Sequence, residues 1–199
     1  SYTKMALLKE NKDAFLLLVF VANAGLYGAF FWQFEHLSWT ELYVLGAVLS
    51  LLICTNYQCV AHNFIHNPFF VNDNLNLLFS LLNSPLLGIP SCMYKVHHLN
   101  HHRYNNDMRD PQTQTTKDGS SLYRYSRYPN RPENLFTYSL VGVLRVDILE
   151  HYRLAHHPNW AKHLEIALCV VPFVVALRMG GTPLLAAYTA VWYLGQAAA

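Results

Sequence analysis

Six imidazoles are crowded into two short stretches of this 199-residue chain. His62-Asn-Phe-Ile-His66 places two histidines four residues apart, and His97-His98-Leu99-Asn100-His101-His102 places four within six. On a helix, positions i and i+4 share one face, so the His62 and His66 rings can reach one ion. Within the second stretch His98, His101 and His102 have HxxHH spacing, which brings three rings to one side of a turn. Either stretch alone has a bland explanation: a pair of helix-end histidines among lipid headgroups, or a polar interfacial tract. Together they do not. Protonated, six neighbouring imidazoles repel; buried without partners, they are costly. A divalent metal that binds the neutral rings removes both problems. Neutral imidazole suits zinc, copper, iron and nickel alike, so ligand softness does not choose the metal. A catalytic zinc takes about three protein ligands. Five or six imidazoles therefore imply two metals, or one metal and a surplus. No carboxylate stands in helical register with either cluster in the Glu-x-x-His manner of soluble di-iron bundles, so the site is nearly all nitrogen.

The elements that carry these residues are apolar. Composition is 53% hydrophobic and only 13% charged, against roughly 25% charged in soluble domains. The charges collect in residues 1–13 and 95–165, the segregation a bilayer selects. Ala14 to Trp32 is a 19-residue run with Asn23 its one polar interruption, long enough to cross the roughly 30 Å hydrocarbon core. Lysines 4, 9 and 12 precede it as in a signal peptide, but the run is too long and lacks a cleavage site. Leu42 to Ala61 is a second span whose last turns gain Thr55, Asn56 and Gln58, a polarity that points toward a site. Leu75 to Tyr94 is apolar but broken by Pro85 and Pro90, which predicts a half-span or an interfacial helix. Ile166 to Leu177 and Pro183 to Ala199 read as a hairpin turning at Arg178-Met-Gly-Gly-Thr. The prediction is an all-α integral membrane bundle of about four spans plus a kinked or re-entrant hairpin, with a histidine-rich face on one side.

Residues 95–162 hold ten of the fourteen basic residues and the N-terminus three more, so the positive-inside rule makes both cytoplasmic. His62 and His66 then emerge on that same cytoplasmic side. A net charge of +2, with no basic run interleaved with aromatics, argues against nucleic acid as a partner. Four cysteines (Cys54, Cys59, Cys92, Cys169) lie in or beside apolar runs without a CxxC pair and read as buried small hydrophobes.

The order HxxxH at the end of a span, a kinked apolar hairpin and then HxxHH resembles the first two histidine boxes of membrane fatty acid desaturases, alkane hydroxylases and related membrane oxygenases. The boxes read HNFIH and HHLNHH, the second followed by RYNND, and the resemblance covers about residues 14–199. It implies two non-haem irons and O2 as co-substrate, acting on an unactivated C–H bond of a lipid or acyl chain. Carried over by position, His62, His66, His98, His101 and His102 are the implied ligands, with His97 an additional candidate. Asn63, Asn100, Asn106 and Asp107 are candidates for orienting the ligand rings through their free N–H groups. The family carries a third histidine box after its last span, whereas this sequence stops at Gln196-Ala-Ala-Ala. The expectation is a single desaturase-like domain over residues 1–199, truncated at its C-terminus. A second account lets His151, His156 and His157 stand in for the missing box.

The resemblance implies a desaturase first, with a membrane hydroxylase of alkane or lipid type as the alternative. Outside the class stand a haem-binding subunit, which would want isolated histidines deep in its spans, and a non-enzymatic zinc or copper transport protein. Since no flavin, Rossmann glycine pattern or haem-attachment motif is present, electrons must come from an external donor of ferredoxin or cytochrome b5 type. Arg103, Arg109, Lys117, Arg124, Arg127 and Arg131 form a basic loop that suits an acidic donor or acidic headgroups.

Overall fold

A computed structural model describes residues 7–199. Lys4, one of the three N-terminal lysines in the charge reading, lies outside them. The described residues are helical, apart from loops and one isolated antiparallel bridge between Leu8 and Phe70. Two compact units are distinguished: the chain up to Ser91 together with Pro158–Ala199, and Cys92–His157.

The first unit is built on long apolar helices. α1 (Asp13–Gln33) leads through a 3-10 turn to α2 (Trp39–Thr55), which opens on a capping box. Ser38 there receives the Glu41 N–H on its hydroxyl and donates its own N–H to the Glu41 carboxylate at 2.8 Å. α2 runs on through a π-helical turn (Asn56–Ala61) into α3 (His62–His66), so the first histidine pair rides on the end of one continuous rod. α4 (Asp73–Leu87) begins at the Asn72 cap, passes through Pro85 and stops at Gly88. The proline does not end the helix. Gly88 does, because its φ of +87° is left-handed backbone that glycine tolerates. A side chain there would also collide with Trp192 and Gln196, whose Nε1 and Nε2 donate to the Gly88 and Leu87 carbonyls.

α8 (Asn159–Ala198) folds back on itself at Gly180 and Gly181, where the backbone leaves helical geometry. Phe173 packs its ring 4.8 Å from Tyr188 and 5.8 Å from Trp192. A straight helix would hold residues 173 and 192 about 28 Å apart, so the hairpin expected from the sequence is present. One arm packs along α2 with Gly195 pressed against Ile53; the other meets α4, where Ser80 donates to buried Glu165 at 2.6 Å. Inside the bundle Asn56 and Asn83 exchange amide hydrogen bonds of 2.8 and 3.1 Å. Phe15, Leu18, Val21, Tyr43, Val44 and Leu51 face outward, an arrangement suited to lipid rather than water. Among the described residues three helical runs are long and apolar enough to cross a membrane (Asp13–His36, Trp39–His66 and the folded α8), and a fourth candidate is the broken pair of α4 and the helix Ser91–Tyr104.

The second unit holds α5 (Ser91–Tyr104), α6 (Leu135–Gly142) and α7 (Ile148–Leu154), joined by an ordered loop. The second histidine cluster is therefore helical through its whole length, although the sequence marks residue 95 as the start of a polar stretch.

Candidate metal centre

The first histidine pair owes its geometry to helical spacing. His62 and His66 sit one turn apart on α3 with ring centroids 4.9 Å apart, the first half-buried and the second exposed. Asn63, between them, turns away and donates its amide to the Cys59 carbonyl. Phe64 from the same turn anchors the helix end in the aromatic cluster of Phe69 and Phe79.

On α5 the cluster divides its labour. His98 is buried and His102 exposed, with their rings 4.4 Å apart across one turn. Nδ1 of His98 lies 3.4 Å from the Tyr94 hydroxyl. His97 meets a different neighbour, the His151 ring of α7, edge-on at 5.5 Å. His101 is drawn to a third, placing its Nδ1 2.8 Å from a carboxylate oxygen of Asp118. Within the HxxHH box His98 and His102 thus make a close pair, while the His101 ring stands 6.3 Å from that of His102 and is engaged by Asp118.

Asp118 is the residue that sequence reasoning missed. Its side chain is fully buried, and all its acceptor capacity is used. One oxygen accepts from the Ser120 N–H at 2.8 Å and hydroxyl at 2.7 Å; the other accepts from His101 and from the Asn106 N–H at 2.8 Å. Burial alone would raise this carboxyl, but the hydrogen bonds from Ser120, Asn106 and His101 outweigh it and hold Asp118 below the usual carboxylate range. Nothing in the sequence marks Asp118: it lies in a polar loop, out of helical register with either box.

The residues expected to orient the rings do something else. Asp107 accepts the backbone N–H groups of Lys117 and Asp118 at 2.8 and 2.9 Å; Asn106 accepts from Leu122; Asn100 ties to Lys117 and Gly119. They build the loop that carries Asp118. Arg109 likewise belongs to the scaffold rather than to a docking surface, since its guanidinium donates to the carbonyls of Tyr123, Arg124 and Ser126. Arg103, Arg127 and Arg131 remain exposed, each over a tyrosine ring. His156 and His157 fall in the turn between α7 and α8.

The donor set suits a metal. Each pair offers imidazole nitrogens at one-turn spacing, and His101 has its Nδ1 engaged with a carboxylate, the arrangement in which Nε2 is the nitrogen available to an ion. No curated protein and no solved structure matches the chain. A family model, Fatty acid desaturase, matches residues 38–199 and so takes in both histidine pairs, the loop that holds Asp118 and all of α8. The chain belongs to the fatty acid desaturase family.

Proposed function

We propose that this chain, as one desaturase-like domain, is an O2-dependent acyl-lipid desaturase of the membrane, working with two non-haem irons. The observation that carries the reading is the two histidine pairs, His62 with His66 and His98 with His102, each a turn apart with ring centroids 4.9 and 4.4 Å from one another, a spacing at which both rings of a pair can reach one ion. In this reading His101 offers Nε2 to the second ion, and His97, engaged with His151, serves as a neighbour rather than a ligand. When bound, the metal pair supplies the oxidising power that removes hydrogen from an unactivated carbon. The chain's own residues do the rest: imidazoles keep the ions neutral-ligated, Asp118 holds one ring, and the apolar helices exclude water and take up the acyl chain. Electrons come from an external carrier of ferredoxin or cytochrome b5 type, received at the exposed arginines Arg103, Arg127 and Arg131.

The test is to purify the chain in detergent with Fe(II) under nitrogen and count iron per protein for wild type, H62A and H98A. Two irons are expected in the wild type, with at least one lost in each variant. Incubation with an acyl substrate, O2 and a reduced donor should then give a product short of two hydrogens. A product that has gained one oxygen instead would assign the alternative, hydroxylase chemistry. Full retention of metal by both variants would sink the site.

A further inference from the structure

We propose that Asp118 is a positioning residue that fixes His101 in its Nδ1–H form and so aims the Nε2 lone pair at the metal. The inference rests on the metal reading above and adds to it a residue outside both histidine boxes. Its basis is a count of protons. Asp118 is buried and already accepts on both oxygens, from the Ser120 N–H and hydroxyl on one and from the Asn106 N–H on the other, so the 2.8 Å contact to His101 Nδ1 completes a carboxylate's acceptor set when that nitrogen carries a hydrogen. Ser120, whose Oγ is 3.2 Å from the same Nδ1, cannot supply the proton, because its own hydrogen goes to the other Asp118 oxygen at 2.7 Å. In the neutral ring Nε2 is then the unprotonated nitrogen and the one able to bind an ion.

The carboxylate is itself held on every side. Asp107 fixes its backbone N–H, the Thr116 hydroxyl donates to its carbonyl at 2.7 Å, and the Tyr138 hydroxyl donates to the Ser120 carbonyl at 2.6 Å, joining α6 to the same loop. Residues 106–120 thus act as a bracket whose product is one ring in one tautomer. Rotating or re-protonating the ring would leave a buried carboxylate short of a donor, which is costly.

The experiment reads the tautomer first and the metal second. In metal-free protein labelled with 15N-histidine, assigned by the loss of signal in H101A, wild-type His101 should show a protonated Nδ1 and a bare Nε2. D118N should move it toward the Nε2–H form that imidazole favours in water. A wild-type His101 already in the Nε2–H form would overturn the inference, whether or not D118N folds. Co(II) titration, followed by its visible absorption, then gives a double-mutant cycle. D118N is expected to weaken Co(II) binding by about 10- to 100-fold, with no further loss when D118N is added to H101A. The same loss in the H101A background would mean that Asp118 acts through the loop alone, and the inference would fail. Wild-type affinity in D118N would also refute it. If instead the wild type bound no Co(II) while the tautomer shift held, the metal reading would be the part to abandon and Asp118 would still orient His101.

Discussion

At the scale of single residues, the two kinds of arginine in the second unit separate structure from docking. Arg109 supplies three carbonyls of the 123–126 segment, and hydrogen bonds from a charged donor are worth about 1.5–3 kcal/mol each. R109A should therefore loosen that loop, visible as faster limited proteolysis between residues 105 and 130 and a lower thermal midpoint. R127A/R131A should leave both measurements within error, since exposed side chains over tyrosine rings contribute little to stability. Where the donor docks on this face, that double variant slows electron delivery at low ionic strength and the effect fades with salt. The six basic residues look alike in the sequence; only the fold distinguishes Arg109 and Arg124, which donate to backbone carbonyls, from the exposed arginines.

At the scale of elements, the polarity gathering at the end of α2 is resolved as internal pairing. Asn56 and Asn83 satisfy each other inside the bundle. Replacing one by leucine strands the other amide at a cost of about 1–3 kcal/mol. N56L and N83L should each lower the thermal midpoint in detergent, and N56L/N83L should be less damaging than the sum of the two. Strict additivity in that cycle would mean that the pair is not coupled. Both boxes, their helical setting and the hairpin of α8 were legible in the sequence, because one-turn spacing and long apolar runs are local signals. The hold on His101 was not. It depends on Asp118, sixteen positions beyond His102, reached through a loop whose path is set by side-chain-to-backbone hydrogen bonds with no periodic signature. The bend after α4 was legible only in part: the prolines pointed to a break in that region, yet the helix ends at the left-handed Gly88.

At the scale of the whole molecule, the count of basic residues makes a prediction about orientation. The basic residues flanking α1 and filling 95–162 favour the cytoplasmic side, so a reporter fused at the N-terminus should read cytoplasmic. Reversing Lys9 and Lys12 to glutamate should shift that reporter toward the opposite side, and unaltered insertion would show that other charges decide. What travels with the N-terminus is set by a small detail of the fold. Lys9 donates its N–H to the Phe69 carbonyl and Val71 donates to Leu7, stitching the segment just ahead of α1 to the chain just past His66. The chain between contains the first two apolar rods, so a molecule with this stitch closed carries both across the bilayer or neither. The charge-reversed protein should therefore never divide its population at the first loop. Each copy would present its N-terminus and its HNFIH pair to the same compartment, as a coin lands on one face entire.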